Sequence, residues 1–270
     1  MFPSNFEYRR VASVDEAVSI LSQAEEAKIL AGGHSLIPLM KLRLASPEIL
    51  VDITRIGGLS YIREDGGEIA IGALTRHRDL ETSELLAREV PVLPAVASTV
   101  GDPAVRHRGT LGGTASHGDG ASDLPAALLA LDATFVARGP GGERRIAAKD
   151  FFTGFLETAL SPAEVLTEIR VPKGYRSYGF QKFNRRAQDW AIVGVVAVRN
   201  GTTKVGYVNM GVTPLRATAV EQRLASGASG DEAAGAAAEG LTPPSDINGS
   251  SEYRAHLAEV LVRRSLAELG

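Results

Sequence analysis

No cysteine occurs among the 270 residues. That absence excludes a disulfide framework, a thiol nucleophile and a cysteine-ligated iron–sulfur cluster on this polypeptide. Any such cluster that exchanges electrons with it belongs to another chain. Excess charge is also missing: 29 basic and 32 acidic residues leave a net charge of −3. A nucleic-acid footprint or a polybasic membrane patch is therefore not expected. No apolar run is long enough to span a bilayer. Arg9-Arg10 is followed by Ser13, Asp15 and Glu16, where a twin-arginine export signal needs an apolar core. A cytoplasmic location is expected. The five histidines, His34, His77, His107, His117 and His256, match no zinc-binding spacing, so no metal site is expected. A Gly-x-Gly-x-x-Gly turn opening a helix and a P-loop ending in Gly-Lys-Ser/Thr are both absent, which excludes the common dinucleotide and mononucleotide signatures.

Two glycine-rich segments are present, Ala31-Gly32-Gly33-His34-Ser35-Leu36 and Gly109-Thr110-Leu111-Gly112-Gly113-Thr114-Ala115-Ser116. Glycine lets backbone N–H groups turn inward with no Cβ in the way, and consecutive inward N–H groups form a nest for phosphate oxygens. Ser35 and Thr110 add hydroxyl donors, and neither segment carries an acidic residue. A single Gly-Gly loop is more often an ordinary turn. The pair points to a pyrophosphate gripped from both sides, hence to a dinucleotide bound outside a Rossmann fold. Gly113 is expected to hold a backbone conformation that a β-branched residue tolerates poorly.

Along the chain, Ser13-Val14-Asp15-Glu16 forms a capping box, and apolar residues follow at helical spacing. Lys28–Ala31 reads as a short strand delivering Gly32-Gly33, Ile49–Ile53 as a second strand, and Gly57-Gly58 as a lobe boundary. The second lobe should hold a strand at Glu68–Gly72, helical stretches from Asp79 through Leu86 and over Leu93–Ser98, and a loop region from Val105 to His117. A helix follows over Leu124–Leu131, with Pro125 in its first turn. A hairpin is expected around Gly139-Pro140-Gly141-Gly142, then a strand over Val165–Val171 ended by Pro172-Lys173-Gly174. Strands at Ser177–Asn184, Ala191–Val198 and Lys204–Val212, with a turn at Asn200-Gly201, precede helices at Thr218–Ala225, Asp231–Glu239 and Glu252–Leu269. The expected class is α+β: a two-lobed non-Rossmann domain over 1–174, with lobes of about 1–56 and 57–174. An antiparallel sheet backed by helices follows over 175–270.

These segments resemble the FAD-binding medium subunit of the molybdenum hydroxylases, the family of xanthine dehydrogenase and aerobic carbon monoxide dehydrogenase. The resemblance covers essentially the whole chain, through Phe6–Arg10, Ala31–Pro38, Leu50-Val51-Asp52-Ile53, Gly72-Ala73-Leu74-Thr75, Val105–Gly113, Ser122-Asp123-Leu124-Pro125 and Pro243-Pro244-Ser245-Asp246-Ile247. Arg-x-Arg-Gly-Thr-Leu-Gly-Gly is its most specific signature. It implies non-covalent FAD held by Ala31, Gly32, Gly33, His34, Ser35 and Leu36 together with Thr110, Gly112 and Gly113. It places Asp123 as a carboxylate on the ribityl chain, Lys182 near the flavin ring and Leu166 packed beside that ring. Local readings stay open beside these: a helix cap for Asp123, an exposed strand lysine for Lys182, a core leucine for Leu166. His34 and His117 can approach the cofactor or bond their own loop backbone. Trp190 departs from the small or apolar residue expected there and receives no role.

The resemblance further implies a large molybdopterin subunit and a small subunit with two [2Fe-2S] clusters, assembled as a dimer of heterotrimers. Electrons would pass from the clusters through FAD to an external acceptor. No catalytic residue is assigned, because the flavin brings its own redox chemistry. A free-standing FAD-dependent oxidase or dehydrogenase is the alternative, and a non-enzymatic nucleotide-binding module a third reading. The substrate and the acceptor are not readable from this chain.

Overall fold

The structure, a computed structural model, describes residues 2–269. Its first lobe runs β1 (Glu7–Arg10), α1 (Val14–Gln23), β2 (Ala27–Leu30), α2 (Leu36–Lys41) and β3 (Ile49–Asp52). The three strands form a parallel sheet in the order β1-β3-β2. Ser13 caps α1 by accepting from Glu16 N, and the Glu16 carboxylate reaches back to Ala12 N at 2.8 Å. Ala17, Val18 and Leu21 on one face of α1 are buried against Val51 and Ile53.

The second lobe contains β4 (Ile62–Asp65), β5 (Glu68–Gly72), α3 (His77–Glu81), α4 (Glu84–Glu89), α5 (Val92–Ser98), α6 (Pro103–Arg108), α7 (Leu111–His117) and α8 (Asp123–Ala130). It continues through β6 (Thr134–Gly139), β7 (Gly142–Ala147), α9 (Ala148–Phe151), β8 (Phe152–Gly154), β9 (Glu157–Thr158) and β10 (Val165–Pro172). Its main sheet is antiparallel, in the order β4-β5-β10-β6-β7. The last part comprises β11 (Ser177–Phe183), β12 (Val193–Asn200), β13 (Thr202–Val208), β14 (Leu215–Arg216), α10 (Thr218–Ala225), α11 (Gly230–Ala234) and α12 (Ser251–Ala267). Its sheet follows chain order and is antiparallel.

Every residue of α8 is buried. A helix that is apolar on all sides needs cover on all sides, and α8 has it: the second-lobe core on one side, the C-terminal sheet on the other. A Cβ on Gly206 of β13 would stand 2.4 Å from the Ala126 carbonyl oxygen, so glycine admits the helix to the sheet. Strand β12 serves both cores by alternation. Val196 and Val198 join the second-lobe core, while Val193, Val195 and Ala197 join the C-terminal one.

The structure differs from the sequence expectations at several points. The expected loop from Val105 to His117 is two helices, α6 and α7, the first capped by Asp102 with Pro103 at its start and the second by Thr110. Glycine reads as a helix breaker, yet Gly112 is there for space: a Cβ would stand 2.6 Å from the Ala73 Cβ. The stretch from Asp79 to Leu86 breaks into α3 and α4, because Ser83 caps a new helix by accepting from Leu86 N. The expected strand to Val212 ends at Val208, before Asn209 at φ 61°. The helix expected to Glu239 ends at Ala234. Strands β1 and β4 and helix α2 were not anticipated.

Candidate functional site

The first glycine segment leaves the carboxyl end of β2 and opens α2. Gly33 sits at φ 78°, the left-handed conformation that glycine adopts without strain. Ile37 N bonds back to Gly33 O at 3.1 Å, whereas the N–H groups of Gly32, Gly33, His34, Ser35 and Leu36 have no acceptor among the described residues. Ser35 makes no side-chain cap to α2, so its hydroxyl is also uncommitted. Five successive donors with no internal partner suit an anion.

The second glycine segment differs from the expected nest. Most of its N–H groups are already used: Leu111 N donates to Thr75 O at 2.9 Å, Gly112 N to Ala73 O at 2.8 Å, and Thr114 N to Thr110 O at 3.0 Å. Gly113 N donates to Thr110 Oγ1 at 3.1 Å. Gly113 is helical, without positive φ, which corrects the backbone expected for it. What the segment can offer a ligand is Thr110: its N–H, which has no acceptor among the described residues, and its hydroxyl, which keeps its own proton to donate.

The two segments meet in space. A Cβ on Gly32 would stand 2.6 Å from Arg108 O and 2.9 Å from Gly109 Cα, and one on Gly113 would lie 3.9 Å from the Ala31 Cβ. Glycine at 32 thus lets two backbones touch, while glycine at 109 makes room for the His77 ring. His34 is exposed on the first loop. His117 stands at the far end of α7, about 10 Å along the axis from Thr110 at 1.5 Å per residue.

Asp123 opens α8 and is 7% exposed. It does not cap its helix: the N-cap is Ser122, which makes no side-chain cap bond. Asp123 Oδ2 instead accepts from Lys182 Nζ of β11 at 2.7 Å, and the same ammonium donates to Thr99 O at 3.0 Å. Lys182 is thereby a buried, paired lysine, which rules out the exposed-strand reading. Burial pushes the Asp123 carboxyl above its ordinary range, opposed by the Lys182 charge. Asp123 Oδ1 is buried with no partner, a costly state that a ligand hydroxyl would relieve. Leu166 is buried in the second-lobe core on β10, opposite Ala137. Trp190 is 61% exposed.

One neighbour was missed by sequence reasoning. His77 opens α3, its N–H donating to Gly109 O at 3.0 Å, and is almost fully buried. Burial, with smaller contributions from His34 and Arg106, lowers its imidazole to about 4, so it is neutral at physiological pH. No sequence signal marks it, since a lone histidine in a first helical turn has no motif. Among the described residues no cluster of three metal-ligating side chains occurs, and no helix is long and apolar enough to cross a membrane.

Comparison with known proteins agrees with this geometry. Residues 4–174 match the FAD binding domain in molybdopterin dehydrogenase, and residues 178–269 the CO dehydrogenase flavoprotein C-terminal domain. The chain is 41% identical to the carbon monoxide dehydrogenase medium chain of Hydrogenophaga pseudoflava, over 98% of this chain and 97% of that one. It is 36% identical to the glyceraldehyde dehydrogenase medium chain of Sulfolobus acidocaldarius, over the full length of both. The solved carbon monoxide dehydrogenase of Hydrogenophaga pseudoflava superposes with a TM-score of 0.95, covering 100% of this chain and 98% of that chain at 41% identity. The free N–H run, the glycine contacts and the orphaned Asp123 oxygen fit the cofactor these domains bind. The chain belongs to the family of FAD-binding medium subunits of the molybdenum hydroxylases and is an FAD-dependent oxidoreductase subunit.

Proposed function

We propose that this chain relays electrons through FAD between a small [2Fe-2S] subunit and an external acceptor, while a large molybdopterin subunit oxidises the substrate. Bound FAD supplies chemistry that accepts or gives one or two electrons. The chain's own residues bind, orient and shield it. The observation that carries this reading is the meeting of Gly32 with Gly109, which brings the five free N–H groups beside the Thr110 hydroxyl. In this reading Ala31, Gly32, Gly33, His34, Ser35 and Leu36 take one side of the pyrophosphate. Thr110 takes the other, and Gly112 and Gly113 keep the helix close behind it. Asp123 Oδ1 accepts from a ribityl hydroxyl, and Lys182 brings positive charge toward the ring.

The lack of cysteine supports a partner-borne relay, since no thiolate here can hold a cluster. We assign FAD binding to residues 1–174, in two lobes, and a supporting role to residues 175–270. The assembly implied by the resemblance is a cytoplasmic dimer of heterotrimers. Relatives named for carbon monoxide and for glyceraldehyde align with this chain over nearly its full length, which supports a substrate set by the large subunit. The test is FAD titration of Gly32→Val, whose side chain would enter the Arg108–Gly109 backbone. Normal FAD affinity in that variant would overturn the assignment of the loop.

A further inference from the structure

His77 Nδ1 is buried with no hydrogen-bond partner, an unusual state for a native polar group. The ring lies against Gly109, where a Cβ would stand 2.7 Å from both Cδ2 and Nε2. Gly109 Cα is in turn the atom that Gly32 approaches. Imidazole, Gly109 and Gly32 therefore touch in series. Backbone contacts between two glycines have no side chain to set their spacing, so the group behind Gly109 sets it. The backbone of the same segment ties in as well, through His77 N to Gly109 O at 3.0 Å and the bridge between Arg76 and Thr110.

We infer that His77 is a positioning residue for FAD: its ring backs Gly109 and fixes the gap between the Gly32–Leu36 donors and the Thr110 hydroxyl. The inference rests on the proposed placement of the pyrophosphate between those two segments. Nδ1 has no partner among the described residues, and the contact the chain itself gives the ring is its packing against Gly109. No contact between His77 and the cofactor is required, because the ring acts through Gly109.

A double-mutant cycle on FAD affinity of the full-length chain tests this, with melting of the FAD-free protein followed in parallel. His77→Ala should weaken FAD binding about tenfold or more by leaving Gly109 unsupported. Gly109→Ala should weaken it comparably, because its methyl group drives into the ring. The double variant should bind FAD better than Gly109→Ala alone, since the methyl then occupies vacated space. Wild-type affinity in His77→Ala, or two losses that simply multiply in the double variant, would overturn the inference. If His77→Ala fails to fold, His77→Leu decides: retained affinity supports a spacer, and a tenfold loss in a folded protein contradicts it. Gly32→Val separates the two readings. Normal affinity there removes the pyrophosphate placement itself, while lost affinity there with normal affinity in His77→Ala removes only the role of His77.

Discussion

Lys182 and Asp123, 59 residues apart in sequence, meet at 2.7 Å with both side chains almost fully buried. One comes from the C-terminal sheet and the other from the first turn of the helix sandwiched between the two cores. A buried ion pair contributes little net stability beyond what apolar residues would give, but removing one partner strands the other. Lys182→Met is therefore expected to destabilise the FAD-free protein by about 3 kcal/mol in chemical denaturation. Lys182→Met with Asp123→Asn should recover most of that loss. A single variant as stable as the parent would show that the pair is not load-sharing between the two parts.

Gly113→Val should remove FAD more completely than it disturbs folding. A Cβ at this helical position would stand 2.7 Å from Thr110 Oγ1, displacing the hydroxyl proposed to reach the cofactor. Losing that helix cap costs about 1 kcal/mol, which a folded protein of this size withstands. Circular dichroism and flavin absorbance together separate the effects, and full FAD occupancy would contradict the role given to Thr110.

Much of this arrangement was legible in the sequence because its signals are local. Ser13 and Glu16 announce α1, Asn200-Gly201 a hairpin, and Pro125 the first turn of a helix, each by chemistry confined to a few residues. The glycine segments were visible for the same reason, and the first leaves its N–H groups without acceptors among the described residues. The second was misread because glycine has two uses that sequence does not separate. At Gly33 it supplies positive φ, while at Gly112 it makes room for Ala73 within a helix. His77 and Thr99 were invisible, since their places depend on long-range packing of α3 and α5 against α6 and β11. Asp123 and Lys182 came from family resemblance; their pairing with each other did not.

Acid should weaken the fold through His77. Its folded-state value of about 4 lies below the ordinary 6.5, with burial as the main cause. Between those values the unfolded chain binds a proton that the folded chain does not, so stability falls as pH drops from 6.5 to 4. The loss at this position amounts to about 3 kcal/mol at most. Denaturation of the FAD-free protein across that range, compared with His77→Leu, isolates it. Parallel curves for the two proteins would show that the histidine is not neutral and buried as described.

The flavin should be held without a covalent bond, because there is no cysteine to attach it and His34 is not in an established attachment context. Heating and centrifugation should leave all the yellow colour in the supernatant. Flavin that stays with the washed precipitate would contradict this.

The relay itself is tested most directly by following the flavin absorbance of this chain alone and after assembly with its [2Fe-2S] and molybdopterin subunits, in the presence of the complex's substrate. The isolated FAD-loaded chain is expected to stay oxidised, and the assembled enzyme to bleach and then pass its electrons to an added dye. Reduction of the isolated chain by that substrate, at the rate of the complex, would contradict the account and make this a free-standing flavoenzyme.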